Sequence, residues 1–545
     1  MGKLLDWWKR DKRDVTLMKA VLLALLPTLC CLVYCAAQGQ SIGRVYLPSS
    51  EWNDELFYFK QVEAIVNYGY PQGYFGFNES HALKLSFAAW SPVLVFPWVI
   101  WGLLFGWNLM SPVICNILLM TGCCFLFVWL VKPTWKQLGI MALLFGLYTP
   151  FVRYMLSGMP DVICFSMLIL FYGLAINYLN RDKNWKLALL LAMAGVMTLM
   201  RPYLLLFLLL PMYFWVKKNR WRGAVGSVLV FLLVLGIYAA IKYYLGAEYF
   251  APLFFTDWAE AFVEQGLLEG IRFTLRKLYY MGSDFAEHTR QGFRSGLASG
   301  AFFGGYLVMM CILLFQSIRD FVVLQGSRKA GGSNGKSSVE AVSEDRETAR
   351  RLIIEAHMAF SFVAMLFALL LMYKLTEGSK HLLTFMAVGI FVVALMETRF
   401  YKKAVLLGVT FVYLYTYMAV EPYDYQVPFA IQERRMQVED WSGIFGEKLE
   451  LAQEAVPAFE NVVIWVFNDT VSGETRNTLW QLLYALPEGF GISCCMPDYV
   501  LENLESLQSK YLCVMPGGLV EAACAEAGYI RLAEDEDMVL FQRYR

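Results

Sequence analysis

The strongest constraint on the fold of this chain is a series of long, mostly apolar segments. One runs from Val15 to about Ala37, and another runs from Leu109 to Val131. A helix of about 20 apolar residues is long enough to cross the hydrocarbon core of a bilayer. Of the 545 residues, 58% are hydrophobic and 17% are charged, whereas a soluble domain carries about 25% charged residues. The sequence therefore predicts a polytopic integral membrane protein.

The basic N-terminus leaves two interpretations of the first apolar segment. A cleaved signal peptide is one, because Cys35 and Ala37 are small residues. The segment is longer than 20 residues, however, and further apolar segments follow. These features favour an uncleaved first span.

The distribution of basic residues decides how the segment Ala88–Trp107, which contains Pro92 and Pro97, meets the membrane. If this segment lies in the interface, five basic clusters share the side of the N-terminus, as the positive-inside rule favours. If this segment crosses the membrane instead, all five clusters lie on the opposite side from the N-terminus. We therefore predict an interfacial helix here. The clusters are Lys132/Lys136, Arg181/Lys183/Lys186, Lys217/Lys218/Arg220/Arg222, Arg319/Arg328/Lys329/Lys336 and Arg399/Lys402/Lys403.

The segment Leu187–Val216 is too long for one span and has Arg201-Pro202 at its centre. A charge at the bilayer centre costs roughly 2.5–3.5 kcal/mol or more, so we predict a hairpin of two short helices with Arg201 at the outer turn. The sequence then has about eleven spans, the last of them Ala404–Val420, with the N-terminus inside and the C-terminus outside. We expect the plasma (inner) membrane.

The predicted domain organisation follows from these spans. Residues 1–420 form a transmembrane helical bundle, and residues 421–545 form a small extracytoplasmic α/β domain. Residues 38–86 and 246–299 are two large outer loops, and the Gly/Ser/charge-rich residues 325–350 are predicted to be a disordered cytoplasmic loop. In the C-terminal domain, strands alternate with helices, which is typical of an α/β layer. The predicted strands are Val462–Phe467, Gly491–Cys495, Tyr511–Met515 and Met538–Phe541, and the helices are Leu479–Leu486, Tyr499–Leu507 and Leu519–Ala527.

Three acidic residues are candidates for chemistry on the outer side. Asp54 and Glu55 open a predicted helix, Asn53–Tyr68, and Asp161 stands where an apolar span begins. Acids in a first turn also simply offset the helix dipole, and this interpretation stays open. A carboxylate that is partly desolvated at that depth could act as a general base.

Basic residues on the predicted outer side form a second candidate group. Arg201, Lys380 and His381 stand there although the positive-inside rule depletes positive charge on that side. His81 and Lys84 lie in the first outer loop. Basic groups in such positions suggest an anionic ligand such as a phosphate. Interfacial lysines also anchor helix ends, so a structural role is the alternative.

Neither the net charge nor the cysteine spacing indicates a polyanionic partner or a metal site. The formal net charge is zero, with 46 basic and 46 acidic residues, so we expect no nucleic-acid partner. The tail cysteines Cys494, Cys495, Cys513 and Cys524 have no metal-ligand spacing, and a disulfide among them stays open.

Taken together, the order and sidedness of these features resemble the GT-C superfamily of polytopic glycosyltransferases. The similar branches are the protein O-mannosyltransferases and the aminoarabinose–lipid A transferases. The resemblance covers roughly residues 15–396. It consists of the acidic pair Asp54-Glu55, the interfacial helix, Asp161, the turn at Arg201-Pro202 and the late loop with Lys380-His381.

The resemblance implies transfer of a sugar from a polyprenyl-phosphate donor to a hydroxyl of a glycan, lipid or protein acceptor. It implies Asp54 as the base, with Glu55 and Asp161 shaping the acceptor side. It further implies that His81, Lys84, Arg201, Lys380 and His381 bind substrate, mainly the lipid phosphate. Some superfamily members use a divalent metal, and the sequence assigns none here.

The sequence departs from these branches and leaves two rival functions. Lys84 has no Pro after it, so the Glu-Lys-Pro stretch of the aminoarabinose branch has no clear counterpart. A polytopic transporter or flippase is the alternative from another class, and it predicts internal repeats and charges near the midplane. A non-catalytic scaffold that presents the C-terminal domain would need neither Asp54 nor Asp161.

Overall fold

Most of the chain is described by a computed structural model. The described residues are 13–45, 54–69, 75–79, 91–146, 148, 150–246, 255–295, 297–330, 338–373, 375–395, 432–451, 461–476 and 479–544.

The protein is an integral membrane protein with a polytopic helical bundle, as the sequence predicts. Six described segments are long and apolar enough to cross a membrane by length and composition: Val15–Ala37, Ser111–Val131, Asp161–Asn180, Pro202–Leu245, Gly304–Gly326 and Arg346–Met372. Three shorter apolar helical segments accompany them: Pro92–Phe105, Asn184–Met200 and Thr384–Leu395. The predicted last span, Ala404–Val420, lies outside the described residues. The total of about eleven spans and the orientation stay predictions.

The structure describes the following helices before the C-terminal domain. In chain order they are α1 (Arg13–Ala37), α2 (Asp54–Tyr68), α3 (Phe96–Phe105), α4 (Ser111–Val131), α5 (Trp135–Gly146), α6 (Pro150–Met155), α7 (Asp161–Asn180), α8 (Asn184–Met200), α9 (Leu205–Leu245), α10 (Asp257–Glu264), α11 (Leu267–Ser295), α12 (Leu297–Ala330), α13 (Ser338–Met372) and α14 (Leu375–Leu395). The central helix is α7, most of which is buried against α4, α8 and α14.

The described part of the apolar segment before α4, residues 91–107, forms a 3-10 turn at Pro92–Val95 and then α3. The ten residues of α3 rise ~15 Å, about half the thickness of the hydrocarbon core. That this segment lies in the membrane interface stays a prediction.

Helix α9 is two helices that fold back on each other. Arg220 has φ 50° and ψ −123°, which breaks the helix. A Cβ on Gly223 would lie 2.3 Å from the carbonyl oxygen of Trp215. In a straight helix, residues eight apart are separated by ~12 Å along the axis, so this contact requires the chain to reverse. Glycine at 223 is what permits so close an approach.

The structure differs from the expectation of a disordered loop at residues 325–350. Helix α12 continues to Ala330, and α13 begins at Ser338, so helices enter this segment from both ends. Residues 338–350 are rich in charge, and Glu347 precedes Arg350 by three residues and Arg351 by four. Opposite charges at these spacings stabilise a helix despite low hydrophobicity. Residues 331–337 lie outside the described part.

The C-terminal residues form the predicted small α/β domain. The elements are α15 (Gln432–Lys448), β2 (Val462–Val466), β3 (Asp469–Val471), β4 (Glu474–Arg476), β5 (Gly491–Cys495), α16 (Pro497–Asn503), β6 (Tyr511–Val514), α17 (Leu519–Glu526), β7 (Ile530–Glu534) and β8 (Val539–Gln542). With β1 (Phe75–Phe77) from earlier in the chain, the main sheet has the order β1-β5-β2-β6-β8-β7. The four predicted strands are confirmed within two residues at each end. The predicted helix at Leu479–Leu486 is a 3-10 turn, Trp480–Ala485.

One edge strand of this sheet comes from residues 38–86, the predicted first outer loop. Strand β1, Phe75–Phe77, pairs in parallel with β5, so that Phe75 stands opposite Ile492. The sequence predicts residues 38–86 and the C-terminal domain as separate units, and this strand joins them. A three-residue strand has too little periodicity to be recognised from sequence.

Hydrogen bonds of Glu79 hold the end of β1 against the C-terminal domain. Its buried carboxylate accepts hydrogen bonds from the backbone N–H groups of Gln508 and Ser509, the shortest being 2.7 Å. Its own N–H donates to Ser493 Oγ at 2.7 Å. Asn78 and Glu79 both adopt positive φ, 45° and 56°. This strained turn is held by the hydrogen bonds on both sides of it.

Helix α2 lies between the bundle and the C-terminal domain. Tyr58 and Val62 are buried in the core of the bundle, whereas Leu56 and Phe59 are buried in the core of the C-terminal domain. Lys60 Nζ donates to the carbonyl of Leu486 at 3.1 Å. The helix that carries Asp54 and Glu55 is therefore positioned by both parts of the protein.

Candidate active site

Asp161 and Arg201 form a fully buried ion pair where α7 begins and α8 ends. Asp161 follows Pro160, which suits the start of a helix because proline has no N–H to satisfy there. Arg201 follows α8 in extended conformation, at the turn predicted from the sequence. Arg201 Nη1 donates to Asp161 Oδ1 at 2.9 Å, and neither side chain is exposed. The predicted hairpin turn is thus not open to solvent at Arg201.

Tyr203 and His381 extend this pair into a network. Arg201 Nη1 lies 3.1 Å from Tyr203 Oη and 3.4 Å from His381 Nδ1. His381 Nδ1 also lies 3.1 Å from Tyr203 Oη. Arginine only donates hydrogen bonds, so Nδ1 is assigned as an acceptor and Nε2 carries the proton. The network therefore joins α7, α8 and α14 through four polar side chains.

The second carboxylate oxygen of Asp161 has no partner within this network. Asp161 Oδ2 is buried and accepts no hydrogen bond from the described part of the chain. A buried carboxylate oxygen without a donor costs free energy. Such an oxygen is a natural acceptor for a hydroxyl group of a bound ligand.

Tyr58 connects α2 to the same network. Its hydroxyl is buried, and burial raises the pKa of Tyr58 well above its ordinary value. The negative charges of Asp54 and Asp161 raise this pKa further, while Arg201 lowers it. Tyr58 therefore remains a neutral hydroxyl that interacts electrostatically with both Asp54 and the Asp161–Arg201 pair.

The adjacent acids Asp54 and Glu55 lie in different environments. Asp54 is half-buried at the first turn of α2, whereas Glu55 is 1% exposed. Glu55 interacts electrostatically with Arg153. Successive helical residues point ~100° apart, which accounts for this separation. Asp54 is the predicted acid that solvent can reach.

Arg153 and two tyrosines belong to this region but are not among the residues predicted from sequence. Arg153 is buried on α6, 4% exposed, just before the segment that leads to Asp161. It is a basic residue on the predicted outer side, so the reasoning that singled out Arg201 applies to it equally. Tyr58 and Tyr203 have no formal charge, and no signal in the sequence marked them.

The remaining predicted residues stay predictions. His81 and Lys84 lie outside the described residues. Lys380 is in the backbone of α14, one residue before His381, but its side chain lies outside the described part. Among the described residues, no group of three or more His, Cys, Asp or Glu side chains is arranged to hold a metal ion.

Comparison with known proteins gives only distant likeness. No protein-family model matches the chain, and no curated protein matches it. It is similar in structure to ArnT from Cupriavidus metallidurans in the apo state, with 12% identity, a TM-score of 0.41, and coverage of 95% of this chain and 97% of that chain. For ArnT bound to undecaprenyl phosphate the identity is 11%, with the same TM-score and coverage. Likeness at this level assigns no residue.

Proposed function

We propose that this protein is a GT-C-type membrane glycosyltransferase. It moves a sugar from a polyprenyl-phosphate-linked donor to an acceptor hydroxyl on the extracytoplasmic side. The observation that carries the proposal is the buried contact of Asp161, Arg201 and His381. These residues are far apart in sequence, and each was a candidate from its charge and predicted side alone. Burying charge is costly, so perturbed ionisable groups gather preferentially at functional sites.

Asp54 is the proposed general base. It is half-buried and, like Asp161 and Arg201, acts electrostatically on Tyr58, so an acceptor hydroxyl can approach it from the aqueous side. The acceptor oxygen forms a bond to the anomeric carbon as the bond from that carbon to the phosphate oxygen breaks. The hydroxyl proton passes to Asp54, and the bonding electron pair leaves on the lipid phosphate. A positioned base of this kind contributes about 10²–10⁴-fold to the rate.

Arg201, Lys380 and His381, with His81 and Lys84, are the proposed binding groups for the lipid phosphate. Their donors would stabilise negative charge as it develops on the leaving phosphate. In the network, Asp161 Oδ1 is 2.9 Å from Arg201 Nη1, so Asp161 orients that guanidinium. Asp161 Oδ2 is left to accept a hydrogen bond from a sugar or acceptor hydroxyl.

The proposal is tested by replacing the acids in a strain that lacks the endogenous gene. Asp54→Asn and Asp161→Asn should abolish an outer-surface glycan or lipid modification seen by mass spectrometry with the wild-type gene. Glu55→Gln should reduce it through the position of α2. Asp182→Asn is the matched control, because Asp182 follows the opposite end of α7 and its carboxylate is 57% exposed. Membrane abundance is checked for each variant.

Retention of the full modification by both Asp54→Asn and Asp161→Asn would overturn the assignment. If Asp161→Asn lowers the abundance of the protein in the membrane, the result for Asp54→Asn, at a half-buried residue, decides the test. A transporter or flippase is separated by incubating purified protein with a polyprenyl-phosphate sugar and candidate acceptors. Only a transferase consumes the donor chemically.

A further inference from the structure

Two tight turns meet at the end of the bundle opposite the candidate active site. The first joins α7 to α8 through residues 181–183, and the second is the reversal of α9 at Arg220. Asp161 and Arg201 stand at the other ends of α7 and α8. The first half of α9 begins just after Arg201 and packs against α8, so its end returns to the level at which α8 begins. Both turns lie on the predicted cytoplasmic side.

An ion pair joins the two turns into one surface. Lys218 in the second turn pairs with Asp182 in the first. We name this surface, residues 181–186 and 217–222, the basic patch. Asp182 is the one acidic residue in these two segments of the sequence. Their basic residues are Arg181, Lys183, Lys186, Lys217, Lys218, Arg220 and Arg222. The basic patch therefore carries a large excess of positive charge in one place.

Most of the basic side chains in the patch are exposed and have no counter-charge. All of them except Lys186 are exposed. Apart from Lys218, none makes an ion pair with a residue that the structure describes. Arg181 and Lys183 both act electrostatically on Lys186. Like charges held this close repel one another, and an anion bound among them relieves the repulsion.

Two exposed tryptophans stand among these basic residues. Trp185 is 58% exposed and Trp221 is 69% exposed. Lys186 Nζ lies 5.9 Å from the centroid of the Trp185 ring, and the guanidinium carbon of Arg222 lies 5.7 Å from that of the Trp221 ring. Tryptophan is enriched at headgroup level, where its amphipathic ring is stable. The basic patch is therefore placed where lipid phosphates are within reach, which favours a lipid over a soluble partner.

The positive-inside rule does not by itself require such a surface. The rule depends on the number of basic residues near the span ends and not on how they lie relative to one another. Elsewhere on the predicted cytoplasmic side, acids stand among the bases, as where Arg351 Nε lies 3.9 Å from Asp320 Oδ2. In the basic patch, two segments far apart in sequence converge instead, and a single acid accompanies them.

We propose that the basic patch binds the headgroup phosphate of an anionic phospholipid in the adjacent leaflet. The guanidinium groups of Arg181 and Arg220, which have no side-chain partner among the described residues, donate to the phosphate oxygens through parallel N–H groups. Trp185 and Trp221 pack along the lipid backbone, and the acyl chains stay in the bilayer. A zwitterionic lipid has the same phosphate, but its ammonium cancels the charge that the patch attracts.

The test is native mass spectrometry of the purified full-length protein, titrated with phosphatidylglycerol or with phosphatidylcholine of identical acyl chains. We expect the wild type to bind phosphatidylglycerol about tenfold or more tightly, because each Lys or Arg at an anionic surface contributes a factor of about five in affinity. The preference should fall as the salt concentration rises, since salt screens exposed charges.

Variants in each turn test whether the patch is responsible. Arg220→Gln combined with Arg222→Gln should weaken phosphatidylglycerol about tenfold or more and leave phosphatidylcholine unchanged. Arg181→Gln combined with Lys183→Gln should do the same from the other turn. The thermal unfolding temperature of each variant in the same detergent shows whether it is folded.

The matched control removes equal charge from another exposed pair on the same predicted side. Lys132 and Lys136 are both exposed, and Lys132→Gln combined with Lys136→Gln should keep the preference of the wild type. A loss in this control as large as in the patch variants would overturn the proposal, because general charge would then explain the binding.

Equal binding of the two lipids by the wild type would also overturn the proposal, as would an unchanged preference in both patch variants. If one patch variant does not fold, the variant in the other turn decides the question. Patch-dependent binding of heparin, a soluble polyanion, without a preference for phosphatidylglycerol would assign the patch to a soluble partner and reject the lipid. The proposal does not depend on the proposed transferase activity.

Discussion

Asp161 Oδ1 and Arg201 Nη1 lie 2.9 Å apart, in a pair whose two side chains are fully buried. Replacing only one partner leaves an uncompensated buried charge, which typically costs about 3–5 kcal/mol. We therefore expect Arg201→Met to lower the thermal unfolding temperature in detergent strongly. Arg201→Met combined with Asp161→Asn should recover much of the loss, because no lone charge remains. The half-exposed pair of Lys218 with Asp182 is the control, for which Asp182→Asn should change stability little. Additive losses in the double variant would show that the two residues do not act as a pair.

A second prediction concerns the attachment of β1, in the predicted first outer loop, to the C-terminal domain. Glu79→Ala removes the acceptor for the backbone N–H groups of Gln508 and Ser509, and unmet buried donors cost about 1–3 kcal/mol. We expect faster hydrogen exchange in β1 and β5, measured by mass spectrometry. Glu79→Gln, which keeps one carbonyl oxygen, should show a smaller effect. Glu505→Ala, on the exposed surface of the same domain, should leave exchange unchanged. Wild-type exchange in Glu79→Ala would contradict this attachment.

The reversal within α9 gives a third prediction. Gly223→Ala would place a Cβ 2.3 Å from the carbonyl oxygen of Trp215, and relieving such a clash typically costs about 1–3 kcal/mol. Gly236 lies in the same element, and a Cβ added there would meet nothing within 4 Å. Gly236→Ala should therefore be neutral or stabilising by up to ~1 kcal/mol, since alanine favours helix. Thermal unfolding of the two variants in the same detergent measures the difference. Equal stability would argue against the close approach at Gly223.

The cysteines of the C-terminal domain give a prediction on pH. All four are free and buried, and burial raises the pKa of the Cys495 thiol to about 12. The thiolate is the reactive form, so iodoacetamide should not label Cys495 in the folded protein at pH 7 to 9. Labelling should begin only as the pH approaches 12 or when the domain unfolds. Glu505→Cys supplies an exposed thiol as a positive control. Rapid labelling of native Cys495 at pH 7.5 would contradict its burial.

The sequence predicts best what depends on charge and long apolar segments. Asp161, Arg201 and His381 are candidates because charge is expensive in a membrane and because positive charge is depleted on the outer side. That these three residues meet is not predictable from sequence, since it depends on how α7, α8 and α14 pack. Tyr58 and Tyr203 could not be predicted. Neither their burial nor their place near a helix end separates them from tyrosines with a purely structural role.

Short elements and partners distant in sequence set the other limit. Strand β1 has three residues, and its place in the sheet is determined by β5, far along the chain. Residues 325–350 look disordered by composition, yet charged pairs and adjoining apolar helices extend the helical structure into this segment. In both places, tertiary context overrides local composition.

The bond from Glu79 to Ser493 joins residues 414 positions apart in the chain, and this fixes an order in biosynthesis. The ribosome completes the first loop early, but its docking partner is made almost last and must itself reach the same side of the membrane. Until then, α2 lacks the surface that receives Leu56 and Phe59. Maturation of the site is therefore a late event, and a nascent chain halted after the bundle would have Asp54 without the support that positions it.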